Sequence, residues 1–347
     1  MAQFMKTIAE PTIPSPRREC VTSAGVTHCT VAVFAHNEER TIAKTILSVI
    51  HQNLPPTIEI AEILVVASGC TDGTLEILKT LVGRYGNITV IEERRRSGKA
   101  HAVNMVLQRS IGSIIFLVPG DVIIEPDAIN ELCSTLGDPS IGVACGKACP
   151  VNSSERAADR IGLLLWNLHN KTQQSLSRES LSTHACGEFM ALKKGVVQRI
   201  EEDIVNDDAY LGILAWSRGF RVTYNENARV LMKAPTRVSE IIRQRTRIVL
   251  GHQLVKHRLG HFPRTLTSMI LYDQTRVIRV IAEQLVENPN QVFTLVLACY
   301  VEVLANLFAL LARVSGVDFR NWSAIESTKD IELLSEHAEV RANVEPL

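Results

Sequence analysis

The stretch "SIIFLVPGDVIIEPDAI", residues 113–129, decides the fold. Ile114 to Val118 form an unbroken apolar run, the pattern of a strand buried on both faces of a parallel sheet. The run stops at Pro119-Gly120-Asp121. A central strand would thus deliver a single carboxylate to the sheet's carboxyl edge, where open α/β sheets keep their ligands.

The same grammar extends upstream. Residues 29–36, 60–68 and 87–93 read as further strands, and 37–52, 70–86 and 98–111 as the helices between them. Strand–helix alternation with short joins predicts a doubly wound, mostly parallel α/β sheet with right-handed crossovers. Beyond Asp121 the pattern loosens. We expect a helix at 127–137, a strand at 141–151 and a long amphipathic helix at 156–176. A strand then a helix follow within 187–200, a helix at 207–219, a strand at 220–232 and a basic helix at 238–257. Residues after about 265 read as helical, with no further strand, so a C-terminal helical extension completes the expected fold.

Composition narrows the partners. Net charge is +0, with 46% apolar and 21% charged residues, so no global field draws nucleic acid. The 8 cysteines lack CxxC or zinc-type spacing, which suits a reducing cytoplasm. Residues 1–27 read as an N-terminal tail without the apolar core of a signal peptide. Residues 291–314, "QVFTLVLACYVEVLANLFALLARV", approach the length of a membrane span. Glu302, Asn306 and Arg313 recur there at helical spacing, which favours a helix packed on the body or lying at a surface.

Several joins carry polar residues the fold does not require: His36-Asn37-Glu38 after the first strand, and Ser68 with Thr71-Asp72-Gly73 after the second. Arg94, Arg95, Arg96 and Lys99 follow the third, and Gly120-Asp121 the fourth. Singly, Asp72 and Asn37 are ordinary helix starters, and the basic cluster an ordinary solvated face. All four joins fall at one sheet edge, the ligand-binding crevice.

These blocks resemble glycosyltransferase family 2, the nucleotide-sugar-dependent enzymes with a GT-A fold. "FAHNEERTIAKTILSVIHQ", "VVASGCTDGTLEIL" and "GKAHAVN" are similar to its donor-side blocks, and "PGD" stands where its Asp-X-Asp motif is expected. "CGEFMALKK" resembles the acceptor-side block and "DDAYLGILAWSRGF" the block that carries the base. "RQRTRI" is similar to Gln-X-X-Arg-Trp, with Ile248 in place of Trp. The resemblance implies a GT-A domain over 28–262, with a nucleotide-binding half to about 121 and an acceptor half beyond it. Residues 263–347 would be the helical region.

By the resemblance, Asp208 is the general base and Asp207 its acidic neighbour, while Gln244, Arg245 and Arg247 cover the donor diphosphate. His36, Asn37, Glu38, Ser68, Asp72, Lys99, Gly120 and Asp121 are expected at the donor, and Gly187 and Glu188 on the acceptor side. Trp166 and His169, on the long helix, line the acceptor site or else belong to the core. Asp121 is the expected ligand of a divalent cation, Mg²⁺ or Mn²⁺. His252 is a second candidate ligand, with a plain surface histidine the alternative. The position of the motif's first acid is Pro119, but phosphate and water oxygens complete many Mg²⁺ sites that have only one or two protein carboxylates.

The expected activity is inverting transfer of a sugar from a nucleoside diphosphate to an acceptor hydroxyl on a carbohydrate, lipid carrier or small molecule. Two rivals stand beside it: a nucleotidyltransferase, and a non-catalytic nucleotide-sugar-binding protein. The expected location is cytoplasmic, with peripheral membrane contact at the inner face, or a homo-oligomer, formed through the C-terminal helices.

Overall fold

The computed structural model describes residues 25–315 and 325–329. Its first half runs β1 (Thr27–Ala35), α1 (Ile42–Ile50), β2 (Ile58–Ser68), α2 (Thr74–Arg84), β3 (Ile88–Glu93), α3 (Lys99–Arg109) and β4 (Ile114–Pro119). The second half runs β5 (Ile123–Ile124), α4 (Ala128–Leu136), β6 (Ile141–Pro150), α5 (Ala157–Arg178), β7 (Met190–Lys193), α6 (Asp207–Ser217), β8 (Arg221–Met232) and α7 (Val238–Leu259). Three helices follow: α8 (Leu266–Met269), α9 (Gln274–Glu287) and α10 (Val292–Val314).

One eight-stranded sheet holds them in the order β3-β2-β1-β4-β7-β6-β8-β5. β1, β2, β3 and β4 are parallel to one another, as expected from the strand–helix alternation. The chain leaves β1 toward β2 and β3, then returns to place β4 on β1's other side. That reversal is a topological switch point, and the crevice beyond it lies between the carboxyl ends of β1 and β4. The two ends are locked close together. Phe34 lies opposite Pro119, and the Gly120 N–H donates to the Phe34 carbonyl at 2.8 Å. A Cβ on Gly120 would come within 2.9 Å of that carbonyl oxygen, so only glycine permits the approach.

The second half is mixed: β7 runs antiparallel to both β4 and β6, while β8 is parallel to β6 and antiparallel to β5. Phe116 on β4 and Phe189, just before β7, are fully buried and stack at 5.9 Å, joining the two halves through one core. The helix expected after the 190s strand does not form. The side-chain amide of Asn104 accepts from the Ile200 N–H at 2.8 Å and donates to the Ile200 carbonyl at 2.9 Å. This buried pairing satisfies the backbone of an irregular segment, and Val196, Val197 and Ile200 enter the core without a helix. Two other helices begin later than the sequence suggested, α1 at Ile42 and α2 at Thr74, leaving polar turns at the crevice.

The C-terminal helices pack on α5 and α7. α10 turns a stripe of small residues inward (Thr294, Ala298, Val301, Ala305, Ala309). Glu302 joins that inner side by pairing with Arg245 on α7, whereas Asn306 and Arg313 are exposed, so the three polar residues do not form a single inward stripe.

Candidate functional site

The β1 turn is built for display rather than for helix entry. Asn37 adopts a left-handed φ of +56°, rare for a residue with a Cβ. Its side-chain oxygen accepts from the Thr71 N–H at 2.7 Å, tying the first turn to the second. His36 Nδ1 donates to the Ser68 carbonyl at 2.7 Å. Asp72, expected at the donor, has its carboxylate engaged locally: it accepts from the Glu39 N–H at 3.1 Å and from the Thr74 N–H at 3.1 Å and hydroxyl at 2.5 Å. It therefore holds the two turns together just ahead of α2. Ser68 donates to Glu93, its partner across the β2–β3 pairing, and His101 lies 3.5 Å from the same carboxylate. Glu93 was not among the expected site residues.

Across the crevice, Asp121 stands in the turn after β4. Burial pushes its carboxyl upward, against the pull of Lys329 and Lys99. Glu38 is pushed up to about 8, by burial and then by the Asp121 charge. Glu188 is pushed up to about 7, again by burial and by Asp121, with Lys99 and Arg247 drawing it back and Asp208 adding to the rise. Glu188 thus feels Asp121 on one side and Asp208 on the other.

Asp207 and Asp208 open α6, where the helix dipole favours acids. Asp207 is buried and pairs with Lys99 at 3.3 Å, so the start of α6 is tied to the start of α3. Asp208 packs on Gly187, where an added Cβ would stand 2.7 Å from its carboxylate oxygen. The two acceptor-side blocks therefore meet at one contact.

α7 closes this wall. A Cβ on Gly251 would lie 2.4 Å from the Asn206 side chain, and Asn206 donates to the Ile248 carbonyl at 3.2 Å. Arg247 lies on the same side and acts electrostatically on Arg96, Lys99 and Glu188. Gln244, one helical turn earlier, shares that face by spacing. Arg245 does not. Two positions from Arg247, it sits about 200° away around the helix, and its guanidinium grips Glu302 at 2.5 and 3.2 Å. It anchors α10 and is not placed toward a diphosphate.

His252 also differs from its expected place. Its ring meets His184 edge to face at 5.3 Å, His184 meets His169 at 5.6 Å, and His169 meets Trp166 at 5.4 Å. Its electrostatic neighbours are His184, Arg245 and His169, while those of Asp121 are Lys329 and Lys99. Burial lowers His169 to about 3 and His184 to about 4, so these rings are neutral at physiological pH. Among the described residues, no group of three His, Cys, Asp or Glu side chains is arranged to hold a metal ion.

Comparison with known proteins agrees with this architecture. A family model described as glycosyl transferase family 2 matches residues 30–201, from β1 through β7, and that segment of the chain belongs to the family. An N-acetylglucosaminyltransferase of Mesorhizobium japonicum is 25% identical over 162 residues, covering 43% of this chain and 38% of the relative. Glycosyltransferase AglD of Haloferax volcanii is 24% identical over 218 residues, covering 60% of this chain and 34% of the relative. The chain thus spans well under half the length of these curated relatives. Among solved structures, the mannosyltransferase PcManGT of Pyrobaculum calidifontis, in complex with GDP-Man and Mn²⁺, superposes with a TM-score of 0.54 at 20% identity. The match covers 91% of this chain and 88% of that one, and the likeness is one of GT-A fold.

Proposed function

We propose that this chain is a nucleotide-sugar-dependent glycosyltransferase that passes a sugar to an acceptor hydroxyl with inversion at the anomeric carbon. One observation carries the reading. Asp207 pairs with Lys99, whose charge also acts on Asp121. Glu188 feels Asp121, Asp208, Lys99 and Arg247, and Arg247 acts on Arg96, so these groups are electrostatic neighbours near the sheet's switch point. Such a set offers cations to a departing diphosphate and a carboxylate to an incoming hydroxyl. The relatives' names and the GDP-Man held by the solved mannosyltransferase support a sugar-nucleotide donor.

In the displacement, the acceptor oxygen bonds to the anomeric carbon as the bond from that carbon to the diphosphate breaks. The hydroxyl proton passes to Asp208, held in place by its contact with Gly187. Lys99 is kept charged and oriented by Asp207. Arg96 and Arg247 face the negative charge that accumulates on the leaving group. Burial raises both Asp121 and Glu188, and the Asp121 charge raises Glu188 further; a cation between them would relieve both effects, so the residues present fit one. Mg²⁺ or Mn²⁺ would be held by Asp121 with Glu188 beside it, and when bound would supply positive charge to the diphosphate.

The test is a panel of nucleotide sugars, including UDP-N-acetylglucosamine and GDP-mannose, with Mg²⁺ or Mn²⁺, reading release of nucleoside diphosphate. D208N should lower transfer by about 10²–10⁴-fold while leaving nucleotide binding intact. Product with the donor's own anomeric configuration, seen by NMR, would overturn inversion. A second reading, a non-catalytic nucleotide-sugar binder, is favoured by Pro119 at the first acid's position. On that reading the wild-type protein binds Mn²⁺–UDP or Mn²⁺–GDP but turns nothing over.

We also propose that the C-terminal helices rest on the cytoplasmic face of a membrane. Phe293, Val296, Tyr300, Val303, Leu307 and Leu311 are exposed along α10, and the apolar segment Pro289–Val314 is long enough to cross a bilayer with only 22% of its most apolar window buried. Co-flotation with anionic liposomes supports this. Failure to float, together with dimerisation in solution, assigns the face to a second copy instead.

A further inference from the structure

The described segment Ile325–Lys329 reaches the crevice from far along the chain, and its contacts are specific. Ser327 donates to the buried Glu240 and accepts from the Thr236 N–H at 3.1 Å, fixing the segment at the start of α7. Its Glu326 and Ser327 roof a cavity of about 330 Å³ that Arg40, Arg156, Lys233 and Arg237 also line. From there Lys329, only 6% exposed, enters the turn after β1. Its ammonium donates to the His36 carbonyl at 2.8 Å and the Asn37 carbonyl at 2.6 Å, and pairs with Glu38 at 3.2 Å.

These contacts account for every N–H the ammonium has, so in this arrangement it offers nothing to a phosphate. Glu38 is equally occupied. One oxygen faces Lys329, and the other accepts from the Thr41 hydroxyl at 3.2 Å. A carboxylate expected at the donor is therefore taken by the protein itself. Lys329 also acts electrostatically on Asp121, where a donor's cation would bind. An ammonium and a divalent cation at one acid corner repel each other strongly in a half-buried setting.

We propose that Ile325–Lys329 is a self-docked strap, and that Lys329 competes with the cation-bearing donor for the Glu38–Asp121 corner, so that the donor must displace it. The inference rests on reading the crevice as the donor site. It makes strap release a step that precedes donor binding. If the strap is docked nine-tenths of the time, apparent donor affinity is about tenfold weaker than that of the open crevice.

The test uses the full chain, a lysine-acylating reagent with mass-spectrometric readout, and exposed Lys79 as internal reference. In the free protein Lys329 should label at least about tenfold more slowly than Lys79. E38Q should speed its labelling, and so should saturating Mn²⁺–UDP or Mn²⁺–GDP. K329M, titrated calorimetrically with the same complexes, should bind about tenfold more tightly than wild type. Labelling of Lys329 as fast as Lys79 in the free protein overturns the docked strap. Measured nucleotide binding that leaves Lys329 equally or better protected, or K329M binding no tighter, overturns competition. Absence of any nucleotide binding to wild type and K329M alike sinks the donor-site reading and this inference with it, and the calorimetric blank tells that outcome apart. The E38Q comparison still reports whether the strap is docked.

Discussion

Phe116 and Phe293 are the same residue in two kinds of surroundings. Phe116, in the middle of β4, is fully buried; Phe293, at the start of α10, is 70% exposed. The sheet half seals its apolar residues between two helix layers and leaves its polar turns to form the site. The α10 end does the reverse, packing through small residues and presenting its large ones outward. The difference teaches that apolar content alone does not locate the core. In the sheet it marks what folding buries; on α10 it marks what the folded protein still has to cover.

The sharpest way to break this comparison is to make one change in both places. F116A should cost about 3–5 kcal/mol of stability by urea denaturation, because a buried aromatic leaves a cavity. F293A should stay within about 0.5 kcal/mol and instead weaken liposome flotation. Equal losses from both would mean that the α10 face is covered in solution.

The two arginines of α7 sharpen the same contrast on one helix. R245A strands Glu302 and should cost about 2 kcal/mol, below the range for a fully buried pair because both partners keep some exposure, without changing nucleotide affinity. R247A should leave stability nearly unchanged and weaken binding of UDP or GDP. The reverse pattern would exchange their assignments.

The histidine cluster between α5 and α7 adds a pH test. His184 has a folded-state pKa lowered by burial to about 4, against an ordinary value of 6.5. Its stabilising effect is complete above pH 6.5 and is lost progressively as pH falls from there toward 4, since the unfolded chain takes up the proton first. By pH 5 the loss is about 2 kcal/mol from this ring alone. H184F should flatten that part of the stability profile in denaturation series run from pH 7.5 to 5. A profile identical to wild type would show that the ring is hydrated. Smallest of all, L307E on the outer face of α10 should leave stability within about 0.5 kcal/mol, whereas A305L on its inner face should cost about 1–3 kcal/mol by overpacking.

How much was legible in the sequence follows from the same physics. β1, β2 and β4 announce themselves because a strand buried on both faces carries a continuous apolar run, and Gly69 and Gly120 mark where β2 and β4 end. Gly187 with Asp208, and Lys99 with Asp207, were legible as members of ordered blocks, but their contacts were not. The irregular segment around Ile200 read as a helix because nothing nearby in sequence shows that Asn104 satisfies its peptide groups. Arg245 and Arg247 look equivalent until their positions around the helix are separated. Glu93 needed the β2–β3 register, which sets it opposite Ser68. Lys329 carried no pattern at all, because its partners lie nearly the whole chain away.

The central claim is that the crevice between β1 and β4 binds a cation-bearing nucleoside diphosphate at Asp121. Calorimetric titration of Mn²⁺–UDP and Mn²⁺–GDP into wild type, D121N and D208N tests it most directly. The account predicts saturable, metal-dependent binding of one of the two nucleotides to wild type, weakened at least about tenfold in D121N and unchanged in D208N. Binding to D121N with wild-type affinity would contradict it.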